Sequence, residues 1–217
     1  MPEIKPLETK GEQARKEKKR FKIIIGIIIA FLMIASTIGY AILEGNPVQQ
    51  VSQNVTSYKN YDFLQTGAGW QTLLRIDSKN ITLNTFNLPQ EVENISSEGS
   101  PLLQDFLNKA VFIAAETNKE KQAASQYNAL GNIVLMIQFA CSPERANSSF
   151  CIENNLPIKT CEDAGEEAFI IILQELPENS SEQASVNYKN SCFEVKGKAE
   201  ELVKANDKAL FMTFGIL

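Results

Sequence analysis

VFIAAETNKEKQAASQYNALGNIVLMIQFA, residues 111–140, is the stretch from which the architecture can be worked out. Residues 111–116 form a short apolar run of strand length. Residues 118–130 are helix-forming, and the Gly131-Asn132 pair after them is a helix-ending signal. Residues 133–140 are apolar and partly β-branched, which favours a second strand. A strand, a helix and a strand within thirty residues predict a right-handed crossover between parallel neighbours.

The pattern continues on both sides. Downstream, residues 168–174 (AFIIILQ) read as a buried strand, and residues 185–197 read as two short strands about a turn near Asn190-Ser191. Residues 198–214 read as a helix with Leu202, Val203, Leu210 and Phe214 near one face. Upstream, Ser100-Pro101 reads as the start of a short helix. Three strands, 58–65, 70–76 and 81–86, are separated by the turn-forming TGAG and DSKN and predict an antiparallel meander. Tyr61 and Phe63 then share a face, with Trp70 across the turn. Gly67-Ala68-Gly69 lacks the third glycine, the Lys-Ser/Thr end and the following helix of a phosphate loop, so it reads as a hairpin turn. The expected class is α+β (or α/β): a mixed sheet with a strand-helix-strand unit and a C-terminal helix, preceded by the meander.

Residues 23–43 carry no charge, and twenty-one helical residues reach about 31 Å, one hydrocarbon core. No polar stripe interrupts the run, and it exceeds the apolar core of a cleaved signal peptide. It reads as an uncleaved signal anchor. Residues 1–22 hold eight Lys/Arg against four Glu, and no basic residue follows the span until Lys59. The positive-inside bias therefore places the N-terminus in the cytoplasm and the rest outside. The expected division is a basic cytoplasmic tail (1–21), a transmembrane helix (22–43), a polar stalk (44–57), an antiparallel β segment (58–100) and an α/β extracytoplasmic domain (101–217). Beyond the tail the chain is acidic, thirteen basic against twenty-two acidic residues, which disfavours nucleic acid as a partner. The expected partners are the lipid bilayer and a protein of the envelope.

The 217 residues include no histidine. That removes Ser-His-Asp and Cys-His nucleophiles and imidazole metal sites. Four cysteines remain. Cys141, Cys151 and Cys161 are spaced ten apart in CSPERANSSFCIENNLPIKTC, and Cys192 lies further on. Zinc knuckles need much tighter pairs, and no Cys-x-x-Cys redox motif is present, so no metal, cofactor or catalytic residue is assigned. An even count outside the membrane favours disulfides. Of the three connectivities, Cys141–Cys151 with Cys161–Cys192 is preferred because it closes one local loop and ties the second to the final hairpin; the others stay open. Glu162, Asp163, Glu166 and Glu167 form the densest acidic cluster, and Thr160 before Asp163 reads as the cap of a short helix. Sequons at Asn54, Asn80, Asn94, Asn147 and Asn179 all follow the span, against about two expected by chance, and are candidate glycosylation sites. The apolar ALFMTFGIL, residues 209–217, reads as packed under the sheet, with a docking surface as the sharper alternative.

Residues 190–217, NSCFEVKGKAEELVKANDKALFMTFGIL, and residues 156–165, LPIKTCEDAG, resemble uncharacterised single-span, membrane-anchored surface proteins of archaea. The resemblance covers the last third of the chain and implies topology, with no functional residue carried over. The expected function is a membrane-anchored extracytoplasmic binding or assembly module, more an envelope component or accessory subunit than an enzyme. The alternatives are an anchored enzyme or thiol-disulfide factor using Cys141, Cys151, Cys161 and Cys192, and a cleaved, secreted protein.

Overall fold

The computed structural model describes residues 54–76 and 79–217. The expected basic tail, membrane span and most of the stalk lie outside the described residues, among which no helix is long and apolar enough to cross a membrane. The class is α+β. A four-stranded antiparallel meander precedes a six-stranded mixed sheet, and a C-terminal helix packs on the latter.

The meander runs β1 (Val55–Tyr58), β2 (Tyr61–Thr66), β3 (Gly69–Ile76) and β4 (Lys79–Thr85), each paired with the next. It has four strands where three were expected. Residues 58–65 break at Lys59-Asn60, with Lys59 at φ 51°, and residues 55–57, the end of the expected stalk, join Tyr58 as β1 and pair with β2. Lys59 is held in this turn by donating from Nζ to the Ile216 carbonyl at 2.8 Å. Phe63, Leu74, Ile81 and Leu83 line the inner face of the meander.

The short helix α1 (Pro89–Val92) follows, then β5 (Ser96–Glu98), β6 (Ala110–Ala114), helix α2 (Asn118–Ala124), β7 (Met136–Ala140), helix α3 (Ser149–Glu153), β8 (Ala168–Glu175), β9 (Ser185–Lys189), β10 (Cys192–Gly197) and helix α4 (Ala199–Thr213). The sheet order is β5-β9-β10-β8-β6-β7. All neighbours are parallel except the hairpin β9–β10, whose turn residues Asn190 and Ser191 both have positive φ, as a two-residue turn matched to strand twist requires. The expected parallel pair across residues 111–140 is β6–β7. Its helix stops at Ala124 and tightens into a 3₁₀ segment, Ser125–Asn132. The expected helix after Ser100-Pro101 is instead a single 3₁₀ turn, Leu103–Asp105, because Phe106 is drawn into the core. There it stacks on Phe169 at 3.8 Å.

Alternation along the strands divides the mixed sheet. Val111, Ile113, Phe169, Ile171, Leu173, Phe193 and Val195 face α4 and join the meander's inner face in one hydrophobic core. Leu202, Ala205, Ala209, Leu210 and Phe211 of α4 fill it, and the Phe211 ring meets Phe63 edge-on at 5.9 Å. Gly197 lets α4 start close to the sheet, since a Cβ there would overlap the backbone at Leu202. Ile216 is fully buried, so the apolar C-terminal stretch is core and not a free docking surface. The opposite face carries Phe112, Ile170, Ile172 and Cys192, and the segment 141–165 lies over it. The Lys159 ammonium sits 4.9 Å from the Phe112 ring, and Cys161 is bonded to Cys192.

Candidate functional site

The chain leaves β6 toward β7 on one side and then returns past β6 to reach β8 on the other. A right-handed connection in each direction requires opposite faces of the sheet. Accordingly α2 crosses on the α4 side and the cysteine segment crosses on the other. The crevice between the carboxyl ends of β6 and β8 is the topological switch point, where open α/β sheets take their ligands.

In this protein the crevice is filled by its own carboxylate. Glu120, fully buried, sits in the first turn of α2 and accepts from the backbone N–H groups of Glu116 (2.7 Å) and Thr117 (2.9 Å), closing a capping box with Thr117. Across the crevice the Glu175 N–H, at the end of β8, donates to it at 2.9 Å. Arg145 completes the set, with Nη1 at 2.9 Å from both carboxylate oxygens. A buried charge with a cationic partner and three peptide donors is satisfied, and removing one partner is expensive.

Arg145 comes from the 3₁₀ turn Pro143–Arg145, inside the loop closed by the Cys141–Cys151 disulfide. The bridge spans a Cα–Cα distance of 6.2 Å, and Ser148 caps α3 by accepting from the Cys151 N–H at 3.3 Å. The second bridge, Cys161–Cys192, has a Cα–Cα distance of 5.4 Å. The preferred connectivity is therefore the one present, and no cysteine is free. Glu116 lies beside the first bridge. Its carboxylate and the two sulfurs of Cys141 and Cys151 fall within 4.8 Å of one another. Disulfide sulfurs are not thiolate ligands, so this trio does not offer the donors a metal needs. Burial pushes the Glu116 carboxyl up, opposed by a hydrogen bond from Ser148 and by the Arg145 charge. Beside Arg145 a cleft of about 330 Å³ opens, lined among others by Ser142, Thr160, Gln174, Glu194 and Lys196.

A second buried polar cluster stands on α4. Asp207, fully buried, accepts from the N–H groups of Phe86 (3.3 Å) and Asn87 (2.7 Å), from the Asn87 side-chain amide (2.7 Å) and from Gln126 Nε2. Asn206 donates to Gln126 Oε1 at 2.7 Å and accepts from the Tyr127 hydroxyl at 2.8 Å. Lys208 donates to the Glu93 carbonyl at 2.8 Å and to that of Ile95. Three consecutive polar residues thus clamp α4 to α1, the end of β4 and the 3₁₀ segment after α2. Burial pushes the Asp207 carboxyl up to about 7 against the pull of its four donors.

The remaining candidate residues lie elsewhere. Asn54, Asn80, Asn94, Asn147 and Asn179 are all exposed, four outside regular structure and Asn80 on β4. Thr160 caps the 3₁₀ turn Cys161–Asp163, with a Thr160–Asp163 capping box, and Glu162, Asp163, Glu166 and Glu167 face solvent. Glu116, Glu120, Arg145 and Asp207 were not singled out in the sequence. Thr117-x-x-Glu120 is nonetheless a capping-box signature, and Asn206-Asp207-Lys208 puts three consecutive polar residues in the middle of the last helix, so at least one of them must turn toward the core.

No protein-family model matches the chain, and no curated protein or solved structure matches it.

Proposed function

We propose that the chain is a membrane-anchored extracytoplasmic binding or assembly module, carried on one N-terminal membrane helix with its N-terminus in the cytoplasm. It docks an envelope protein through the edge of the mixed sheet. The observation that carries this reading is β7. It is an edge strand, MIQFA, with no charge or proline along it, and Leu135, Met136 and Phe139 are 70%, 47% and 41% exposed. Soluble proteins normally blunt such an edge with charge, because its free peptide groups and apolar side chains invite another strand. A partner that adds a strand here gains main-chain hydrogen bonds and apolar contacts together.

Compartment is argued from three features. The uncharged 23–43 segment has its basic flank on one side only, all four cysteines are paired, and the five sequon asparagines are exposed. The resemblance to archaeal single-span surface proteins fits the same topology. The thiol-disulfide alternative is weakened by burial of the Cys141, Cys151 and Cys192 side chains, since exchange needs an accessible sulfur. The buried carboxylates are likewise engaged in bonds that hold elements together.

A photo-crosslinking residue at Met136 or Phe139, in the full chain in its native membrane, tests the docking. The expected result is a discrete protein adduct from these positions and none from an exposed control at Glu178. Equal labelling at all three, or no adduct at β7, overturns it. Intact mass before and after reduction reads anchor cleavage, glycans and disulfides in one measurement.

A further inference from the structure

A second cleft, of about 270 Å³, lies between the β2–β3 turn, the end of β4 and the 3₁₀ segment Ser125–Asn132. Its lining includes Trp70, Thr66, Asn84, Thr85, Gln126 and Asn128, and not one charged side chain. Four other clefts of similar size each have at least one. Trp70, the single tryptophan of the chain, is half-buried against the core. The polar lining divides into committed and free groups. Gln126 is locked by Asp207 and Asn206, and the Thr66 hydroxyl donates to the Gly69 carbonyl at 3.2 Å. The Asn128 side chain makes no hydrogen bond among the described residues, whereas the Asn84 side chain lies on the other face of the meander, accepting from Gln71 at 3.0 Å, and its backbone carbonyl accepts from Gln126 Nε2 at 3.4 Å. The hydroxyl of Thr85, a residue 3% exposed, is buried with no partner.

An unpaired buried hydroxyl is uncommon and costs stability, so a fold that keeps one at a cleft invites a reason. Ligand pockets combine an apolar or aromatic wall with a few placed polar groups, and the occupant's chemistry follows from the lining. An indole ring offers a flat apolar face. A free amide and a hydroxyl offer both donors and acceptors and no charge. A matching ligand has one apolar face, a rim of hydroxyls and no net charge.

We propose that this cleft binds a neutral saccharide ring stacked on Trp70, with its hydroxyls meeting Thr85, which pairs across the strands with Trp70, and Asn128. The volume lies just below the roughly 300–1,000 Å³ range of ligand pockets, which suits one ring. The inference stands apart from the β7 reading, since the cleft is lined by the meander and the 3₁₀ segment and not by the sheet edge.

The test uses the full chain in detergent micelles, with Trp70 fluorescence as the reporter. The probes are glucose, galactose, mannose and N-acetylglucosamine, free and as their neutral trisaccharides, with glucuronate and glucosamine as charged comparators. The expected result is a saturable change with at least one neutral sugar and a dissociation constant of about millimolar, as suits one ring in a small cleft. A response to trisaccharide alone assigns the ligand to a glycan chain, and a response to the monosaccharide assigns it to free sugar; both support the site. No saturable response to any neutral probe, or equal response to the charged ones, overturns it. Thr85→Val keeps the side-chain shape and removes the unpaired hydroxyl, so it leaves the melting temperature unchanged or raised while weakening sugar binding about tenfold. Unchanged binding in that folded variant overturns the role given to Thr85. Trp70→Ala, read by calorimetry, abolishes binding.

Discussion

Asp207 makes the stability of the domain depend on pH in an uncommon direction. Its folded pKa is raised from 3.8 to about 7 by burial. In the unfolded chain the carboxyl releases its proton near pH 4, whereas the folded protein keeps it to near neutrality. Between those limits the folded state binds more protons, so stability falls as pH rises. The shift of about three pKa units, at 1.36 kcal/mol per unit, amounts to about 4 kcal/mol. That contribution is fully present below about pH 4, declines through the interval and is gone above about pH 7. Against the 5–15 kcal/mol typical of a domain, this is a large fraction. Other carboxylates titrate too, so the measurement compares the chain with Asp207→Asn, which cannot ionise. Urea unfolding of both proteins, disulfides intact, is followed by Trp70 fluorescence at half-unit steps from pH 4 to pH 8. The stability of the native chain minus that of the variant drops by about 4 kcal/mol across the interval. A difference that stays flat, or rises with pH, refutes the reasoning. It would mean that the four donors win over burial and that Asp207 enters the fold as a carboxylate. If the proton is held, it needs an acceptor, which the Asn87 amide supplies by turning its carbonyl inward.

The other expectations concern the stapled segment and the edge. Replacing Cys141 and Cys151 by serine removes a ten-residue closure worth about 3 kcal/mol by chain entropy, and the Cys161–Cys192 pair, thirty-one residues apart, is worth about 4 kcal/mol; denaturant midpoints of the two double variants give the order. Arg145→Ala leaves the buried Glu120 charge without a cation and destabilises by about 3–5 kcal/mol in the same unfolding assay. Phe139→Lys, on the exposed edge, shifts stability by less than about 0.5 kcal/mol yet removes the crosslinked partner adduct expected from β7.

Residues 111–140, the β8 run and the Asn190-Ser191 hairpin were legible because each carries its own local signal of period, length or turn chemistry. The disulfide pairing was one of three open in the sequence, preferred because it closes one local loop and ties the other to the final hairpin, and it is the pairing present. What escaped the sequence depended on partners distant along the chain. Residues 55–57 look like stalk until Lys59-Asn60 turns the chain back and Lys59 finds the Ile216 carbonyl, 157 residues away. The helix expected to Leu130 tightens after Ala124, where Gln126 and Tyr127 bond to Asn206. The run 133–140 looked like any apolar strand, and nothing local says that it lies at the sheet edge. Glu120 and Asp207 are ordinary acids in sequence, and only the topology reveals that they fill the switch point and the α4 clamp.

The equal spacing of Cys141, Cys151 and Cys161 has a consequence for biogenesis. When Cys151 first meets an oxidant, it has two candidates at the same distance along the chain, and loop entropy alone does not choose between them. The native choice comes from conformation. The Pro143–Arg145 turn and α3, capped by Ser148, fold the first loop back on itself, whereas the second loop is drawn out across the sheet to reach Cys192. A wrongly joined Cys151–Cys161 pair would leave Cys141 and Cys192 without partners at opposite ends of the sheet. Maturation thus includes a choice of partner for Cys151 that the local fold, and not loop length, has to make.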